Sequence, residues 1–165
     1  MRTQFLEVSA WNVLQRLLVE ANALVVEVML TTGLRVSDVL SLRTAQLKSR
    51  FTVTESKTGK RKRIYIRKDL LERLKAQAGE VYVFEGARSK DKHRTRQAVW
   101  RDIKRASRAM RLERCVACHS ARKSFAVEKY RQSGGDMDKV RHLLNHDDLA
   151  TTVIYLLSEF EKKPL

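Results

Sequence analysis

The chain has 165 residues and carries 34 Lys and Arg against 19 Asp and Glu, a net charge of +15 at neutral pH. Its hydrophobic fraction of 43% is enough for a buried core and excludes wholesale disorder, while no run is long and apolar enough to cross a bilayer. A balance this basic points to a polyanionic partner, nucleic acid or an anionic membrane surface. Residues 1–7 lack the apolar stretch of a secretory signal, so a cytoplasmic, nucleoid-associated location (the host cytoplasm if phage-encoded) with reduced Cys115 and Cys118 is expected.

Helical signals dominate the first third. Ser9 caps a helix over 10–20 with Trp11, Leu14, Leu17 and Leu18 as its apolar stripe. A second helix covers 21–32, and Gly33 stops it in a left-handed conformation. Ser37 and Asp38 favour a short helix through Leu42, with Arg35 at the junction. The period then changes. Residues 51–54 and 64–66 read as strands joined by a turn over 56–60. A helix over 69–78 and a third strand over 81–84 follow.

Thr95 opens a longer helix, on which Trp100, Ile103, Ser107 and Met110 face the core. Arg101, Lys104, Arg105 and Arg108 repeat at the same spacing on another face, within a stretch (88–114) where bases far outnumber acids. A stripe of this density suits a phosphate backbone, and Arg94, Arg96 and the hairpin residues Lys60, Arg61 and Arg63 are counted with it. The next helix runs over 119–132 and ends at Gly134 and Gly135. Asp136 caps a helix through Leu144, Asn145 takes the left-handed stop, and Asp147 or Asp148 caps the last helix, which carries Tyr155. The expected class is α+β, mainly α: a helical domain with a small antiparallel β-sheet or hairpin.

His119 and Arg122 stand at i and i+3, on one face of a helix. With Arg35, His146 and Tyr155 they make two arginines, two histidines and a phenol. Such a set suits a phosphodiester, since cationic forks grip the oxygens and a hydroxyl attacks phosphorus. Thr-Gly-Leu-Arg-x-Ser-Asp at 32–38, His-x-x-Arg at 119–122, and Leu-Asn-His then Thr-Thr-x-x-Tyr within 144–155 stand in order on the chain. Taken together they resemble the catalytic domain of tyrosine recombinases, the phage-integrase family, over 21–157.

The resemblance implies roles for individual residues. Arg35 and Arg122 resemble the two arginines that clamp the scissile phosphate, and Tyr155 the nucleophile that forms a 3′-phosphotyrosyl bond. Lys57 matches the hairpin lysine that protonates the leaving 5′-oxygen, with Lys60 as its competitor. His119 resembles the general acid/base position and His146 a second histidine that donates a hydrogen bond to the phosphate. Asp38 matches an acidic position that buttresses the site. The implied partners are double-stranded DNA and further copies of the chain on it, as a dimer or tetramer, with no membrane involved. No cofactor and no metal are expected, because the covalent bond conserves the phosphodiester's energy and cationic side chains take a metal's place. Family members usually carry a separate N-terminal helical domain that clamps the other face of DNA; residues 1–165 are expected to form a single catalytic domain without it.

Other readings compete. A type IB topoisomerase-like relaxase shares this chemistry, and a catalytically silent DNA-binding module would share the fold. Cys115-Val116-Ala117-Cys118-His119 also fits covalent haem attachment, and both cysteines with His119 or His93 fit a weak zinc site. The preferred reading makes both thiols small packing residues at a helix entry.

Overall fold

The computed structural model describes residues 3–113 and 115–160, except for the side chains at 155 and 157–160. In chain order it contains α1 (Val8–Arg16), α2 (Glu20–Thr32), α3 (Val36–Leu40), a 3-10 turn (Thr44–Gln46), β1 (Arg50–Thr54), β2 (Arg61–Tyr65), α4 (Lys68–Gln77), β3 (Glu85–Gly86), β4 (Ser89–His93), α5 (Arg96–Ala109), α6 (Cys118–Gln132), α7 (Met137–Leu144) and α8 (Leu149–Phe160). The class is the expected one, mainly helical with two small antiparallel hairpins, β1–β2 and β3–β4.

Helices α2 and α6 form the spine. Helix α2 is apolar nearly all round and buries Leu24, Val25, Val26, Val28 and Met29, as a central helix must. It stops at Gly33, whose φ of 67° is left-handed. A Cβ there would lie 2.5 Å from the Phe125 ring of α6, so both the turn and the close approach require glycine. The segment before α1 crosses α6 and is tied there by Ser124. The Ser124 Oγ accepts from Leu6 N at 2.9 Å and Trp11 Nε1 at 2.8 Å, and donates to Leu6 O at 2.7 Å. A large core joins α1 to α5 with the β1–β2 hairpin, and a smaller one of Phe5, Phe125, Val140, Leu144 and Leu156 joins α6, α7 and α8.

Buried polar side chains fix the entry to α2. Asp102 Oδ2 accepts from Val19 N at 2.9 Å and Asn22 Nδ2 at 2.8 Å, and Asp102 Oδ1 accepts from Arg105 Nη2 at 2.7 Å. Asn22 in turn accepts from Arg94 Nε at 2.7 Å. Burial raises the Asp102 pKa, but these bonds outweigh it and hold the carboxyl below its usual range.

Caps follow their residue chemistry. Thr95 Oγ1 accepts from Ala98 N at 3.1 Å, and Asp136 Oδ1 accepts from Lys139 N at 2.9 Å. Of the two aspartates before α8, Asp148 is the cap, accepting from Thr151 N at 2.7 Å. Asn145 ends α7 with φ 60°, the left-handed stop expected of it.

Three expectations fail. Helix α1 begins at Val8 with Glu7 at its cap, so Ser9 lies inside it, and the helix ends at Arg16 with Leu17 exposed. Residues 81–84 form no strand. Val83 and Phe84 are fully buried, but only Tyr82 pairs, in a single bridge with Arg43, and the extra hairpin is β3–β4 instead. Trp100 does not face the core: it is 43% exposed, and α5 packs through Val99, Ile103 and Ala106. Small side chains at 99 and 106 allow close helix approach, so the buried face is turned one residue from the tryptophan.

Candidate active site

Two left-handed stops, a helix start and a hairpin bring five of the six expected catalytic residues together. The Gly33 stop places Arg35 at the N-cap of α3, with extended backbone. The second residue of α6 is His119, and Arg122 follows one turn later. The Asn145 stop carries the chain from α7 to His146. The β1–β2 turn supplies Lys57. Arg35, Lys57, His119, Arg122 and His146 all line one cavity of about 840 Å³.

Arg122 is the anchor, 0% exposed. Its Nη1 donates to Gly33 O at 2.6 Å, and its Nη2 donates to Leu144 O at 2.8 Å. One carbonyl belongs to the left-handed stop Gly33 and the other to Leu144 just before the stop Asn145, so one guanidinium of α6 ties the end of α2 to the end of α7. The same Nη2 lies 3.3 Å from His146 Nε2, and His146 Nδ1 lies 3.0 Å from Thr152 Oγ1 of α8. An arginine only donates. The arrangement therefore makes Nε2 the acceptor and Nδ1–H the donor to Thr152.

His146 is 9% exposed; loss of hydration, then the charges of Arg122 and Arg35, push its pKa down to about 4. The His119 ring opens to solvent, yet the same loss of hydration, followed by Lys123, Arg122, Arg35 and Lys57, pushes it to about 4 as well. Both rings are neutral at physiological pH. A neutral buried histidine has a sign that can be checked. The unfolded chain binds the proton near pH 6.5 and the folded chain only near 4, so stability should fall as pH drops through that window. The expected contribution from His146 is up to about 3 kcal/mol. Thermal melts between pH 4 and 7 should be steeper for the wild type than for His146→Gln, and equal slopes would contradict the burial.

Arg35 Nη1 donates to Glu55 Oε2 at 2.6 Å, and Thr58 Oγ1 donates to the same oxygen at 2.9 Å. Burial raises the Glu55 pKa, but these bonds and the Arg35 and Arg122 charges leave it below its usual range. Asp38, fully buried, accepts from Ser56 N at 2.8 Å and Ser56 Oγ at 2.7 Å. Asp38 thereby ties α3 to the residue next to Lys57. Lys57 itself is exposed at the cavity rim, whereas Lys60 donates to Asp147 and, at 3.4 Å, to Asn145 O. Tyr155 lies in α8; its side chain is outside the described residues.

Sequence reasoning missed Glu55 and Lys62. The Lys62 Nζ donates to Thr32 O at 2.7 Å at the end of α2, and burial, then the Arg122 charge, lower its pKa to about 8. The basic surface divides. Arg61, Arg63 and Arg108 are exposed, Arg96 joins the cavity wall beside Trp100, and Arg101 lines a second hollow with Arg88 and Lys92. Arg94 and Arg105 are held by Asn22 and Asp102, and Lys104 donates to Cys115 Sγ at 3.5 Å. Cys118 lines the cavity, and burial pushes its thiol up to about 11, which suits packing rather than reactivity. Among the described residues no three His, Cys, Asp or Glu side chains gather as metal ligands.

The model of the Phage integrase family matches residues 11–162, and the chain belongs to that family. Tyrosine recombinase XerD of Lacticaseibacillus casei is 32% identical over 146 residues, which cover 78% of this chain and 47% of that protein. The probable integrase/recombinase YoeC of Bacillus subtilis is 29% identical over 133 residues, 77% of this chain and 72% of that protein. The chain spans about half the length of the XerD relatives it matches. In fold it resembles a lambda integrase dimer bound to a COC′ core site, with a TM-score of 0.82 at 20% identity over 100% of this chain and 51% of that one. It also resembles the lambda integrase catalytic core, with a TM-score of 0.73 at 21% identity over 89% of this chain and 94% of that one.

Proposed function

We propose that this chain is the catalytic domain of a site-specific DNA recombinase or integrase that cleaves and rejoins strands through a 3′-phosphotyrosyl intermediate. The observation that carries the reading is the convergence of Arg35, Lys57, His119, Arg122 and His146 on one cavity. A convergent cationic cavity of this kind favours a phosphodiester over a neutral substrate. The Tyr155 oxygen attacks the scissile phosphorus, forming the P–O(Tyr) bond as the P–O5′ bond breaks. The tyrosine proton passes to a base, for which the neutral His119 ring is suited. The leaving 5′-oxygen takes a proton from the Lys57 ammonium. Arg35 and Arg122 stabilise the charge on the non-bridging oxygens. Rejoining reverses each step, with a 5′-hydroxyl as nucleophile and the tyrosine as leaving group. His146 donates to the phosphate only once its Nε2 carries a proton, and the approaching anion raises its pKa in that direction.

The first test is a nicked duplex whose 5′-terminal fragment diffuses away after cleavage. A denaturing gel should then show a covalent protein–DNA adduct; its absence would remove the reading. The fold of a lambda integrase tetramer bound to a Holliday junction matches this chain with a TM-score of 0.73 at 20% identity, which supports assembly of several copies on DNA. Exposed Leu149 and Ile154 on α8 offer apolar contact for such assembly. A nucleoid location follows if the substrate is chromosomal, and no helix among the described residues is long and apolar enough to cross a membrane.

Two expected results belong to this reading. Binding to generic duplex DNA should be weak, with Kd about 10⁻⁴–10⁻⁶ M at physiological salt, and should weaken steeply as salt rises. Titrations from 50 to 200 mM salt measure the slope, and a flat line would assign the basic face to another partner. Lys57→Ala should cleave normal DNA slowly because a 5′-alkoxide leaves poorly. A substrate with sulfur at the 5′-bridging position leaves without a proton and should restore its rate. The same rescue seen in Lys60→Ala but not in Lys57→Ala would move the role to Lys60, which the tie to Asp147 argues against.

A further inference from the structure

Resting on the strand-transfer reading, we propose that Glu55 is a positioning residue for cleavage, joining the Arg35 fork to the turn that carries Lys57. Glu55 follows β1 and is 0% exposed. An ionised carboxylate out of water is costly unless charge and hydrogen bonds compensate it. Here one oxygen serves two donors from segments far apart in sequence: Oε2 receives Arg35 Nη1 at 2.6 Å and Thr58 Oγ1 at 2.9 Å. Thr58 is the neighbour of Lys57. The backbone closes the same turn, with Glu55 N donating to Lys60 O at 2.9 Å and Gly59 N donating to Glu55 O at 2.8 Å.

The turn is also joined to α3 at Ser56, which donates to Asp38 Oδ1 from its N and Oγ and bonds Ser37 Oγ at 3.3 Å, but neither contact involves the Arg35 side chain. Glu55 completes the connection on the side chain itself. With Nη1 engaged, the guanidinium is held in one orientation, and its Nη2 and Nε bond no other acceptor among the described residues. Those N–H groups remain for a phosphate in the cavity that Arg35 lines. A phosphate that displaced Glu55 instead would leave a buried carboxylate without Arg35, and its Oε1 already has no hydrogen-bond partner. Glu55 therefore stays on Arg35 while the phosphate takes the remaining edge of the fork. A preorganised donor is worth more in the transition state than one that must be ordered on binding.

The test measures adduct formation on the nicked duplex, with the rate at saturating DNA and the apparent Kd determined separately. The variants are Glu55→Ala, Glu55→Gln, Arg35→Ala and the double Arg35→Ala/Glu55→Ala. Glu55→Ala should slow cleavage by on the order of 10²-fold at saturating DNA, with Kd changed by no more than about threefold. Glu55→Gln keeps an acceptor for Arg35 and Thr58 and should recover most of the rate. The double variant should be no slower than Arg35→Ala, because both changes remove one interaction. If Glu55→Ala melts below the assay temperature, Glu55→Asp, one methylene shorter, takes its place with the same expected loss. A folded Glu55→Ala or Glu55→Asp at the wild-type rate overturns the proposal, as do losses that multiply in the double variant. A wild-type chain that forms no adduct removes the strand-transfer reading and this proposal together, whereas a wild-type adduct insensitive to Glu55 removes the proposal alone.

Discussion

Arg122→Lys is expected to cut adduct formation by on the order of 10²–10³-fold, although it keeps the charge. The structural reason is that Arg122 does several things at once. Its two terminal nitrogens donate to Gly33 O and Leu144 O, and one of them also lies against His146. A lysine offers one nitrogen where the guanidinium sets two, so it cannot keep the bonds to Gly33 O and Leu144 O in their present geometry. One buried carbonyl then loses its donor, a cost of about 1–3 kcal/mol. The variant should therefore melt lower as well as cleave more slowly. Urea unfolding and single-turnover cleavage at a temperature where the variant is folded separate the two effects. Cleavage near the wild-type rate would take Arg122 out of the chemistry and leave it as a strut between α2 and α7.

Tyr155→Phe should abolish the adduct, with DNA affinity and melting temperature nearly unchanged. The change removes one oxygen and leaves the ring. Around it, α8 is fixed by Asp148 at its start, by Thr152 against His146, and by Leu156 in the smaller core. None of these depends on the hydroxyl. Residual adduct in the Phe variant would place the nucleophile elsewhere and undo the alignment of the last motif.

Much of the site was legible because its residues sit at chain punctuation. Gly33 and Asn145 are the residue types that take a left-handed stop, and each is followed within two residues by a site residue, Arg35 and His146. Aspartate and threonine caps fixed the starts of α5, α7 and α8. What stayed hidden was charge pointing inwards. Strand alternation puts Glu55 in phase with buried Val53, and Lys62 in phase with buried Ile64. The pattern was in the sequence, but a charged residue at an inward position reads as a break in the strand until its partners, Arg35 and Thr32, are seen across the fold. Trp100 failed for the opposite reason. Its size suggested a core residue, whereas α5 packs through the smaller Val99 and Ala106. The β4 strand has almost no apolar alternation, Ser-Lys-Asp-Lys-His, so nothing local announces it. Nor does spacing show that three of the basic residues, Arg94, Lys104 and Arg105, also bond within their own fold.

The most direct measurement is to locate the DNA on the protein. The wild-type chain is trapped on the nicked duplex, digested with nuclease and protease, and the modified peptide sequenced by mass spectrometry. The account predicts a nucleotide joined through its 3′-phosphate to the oxygen of Tyr155, in the peptide from α8. A nucleotide on any other side chain, or its attachment through a 5′-phosphate, would contradict it.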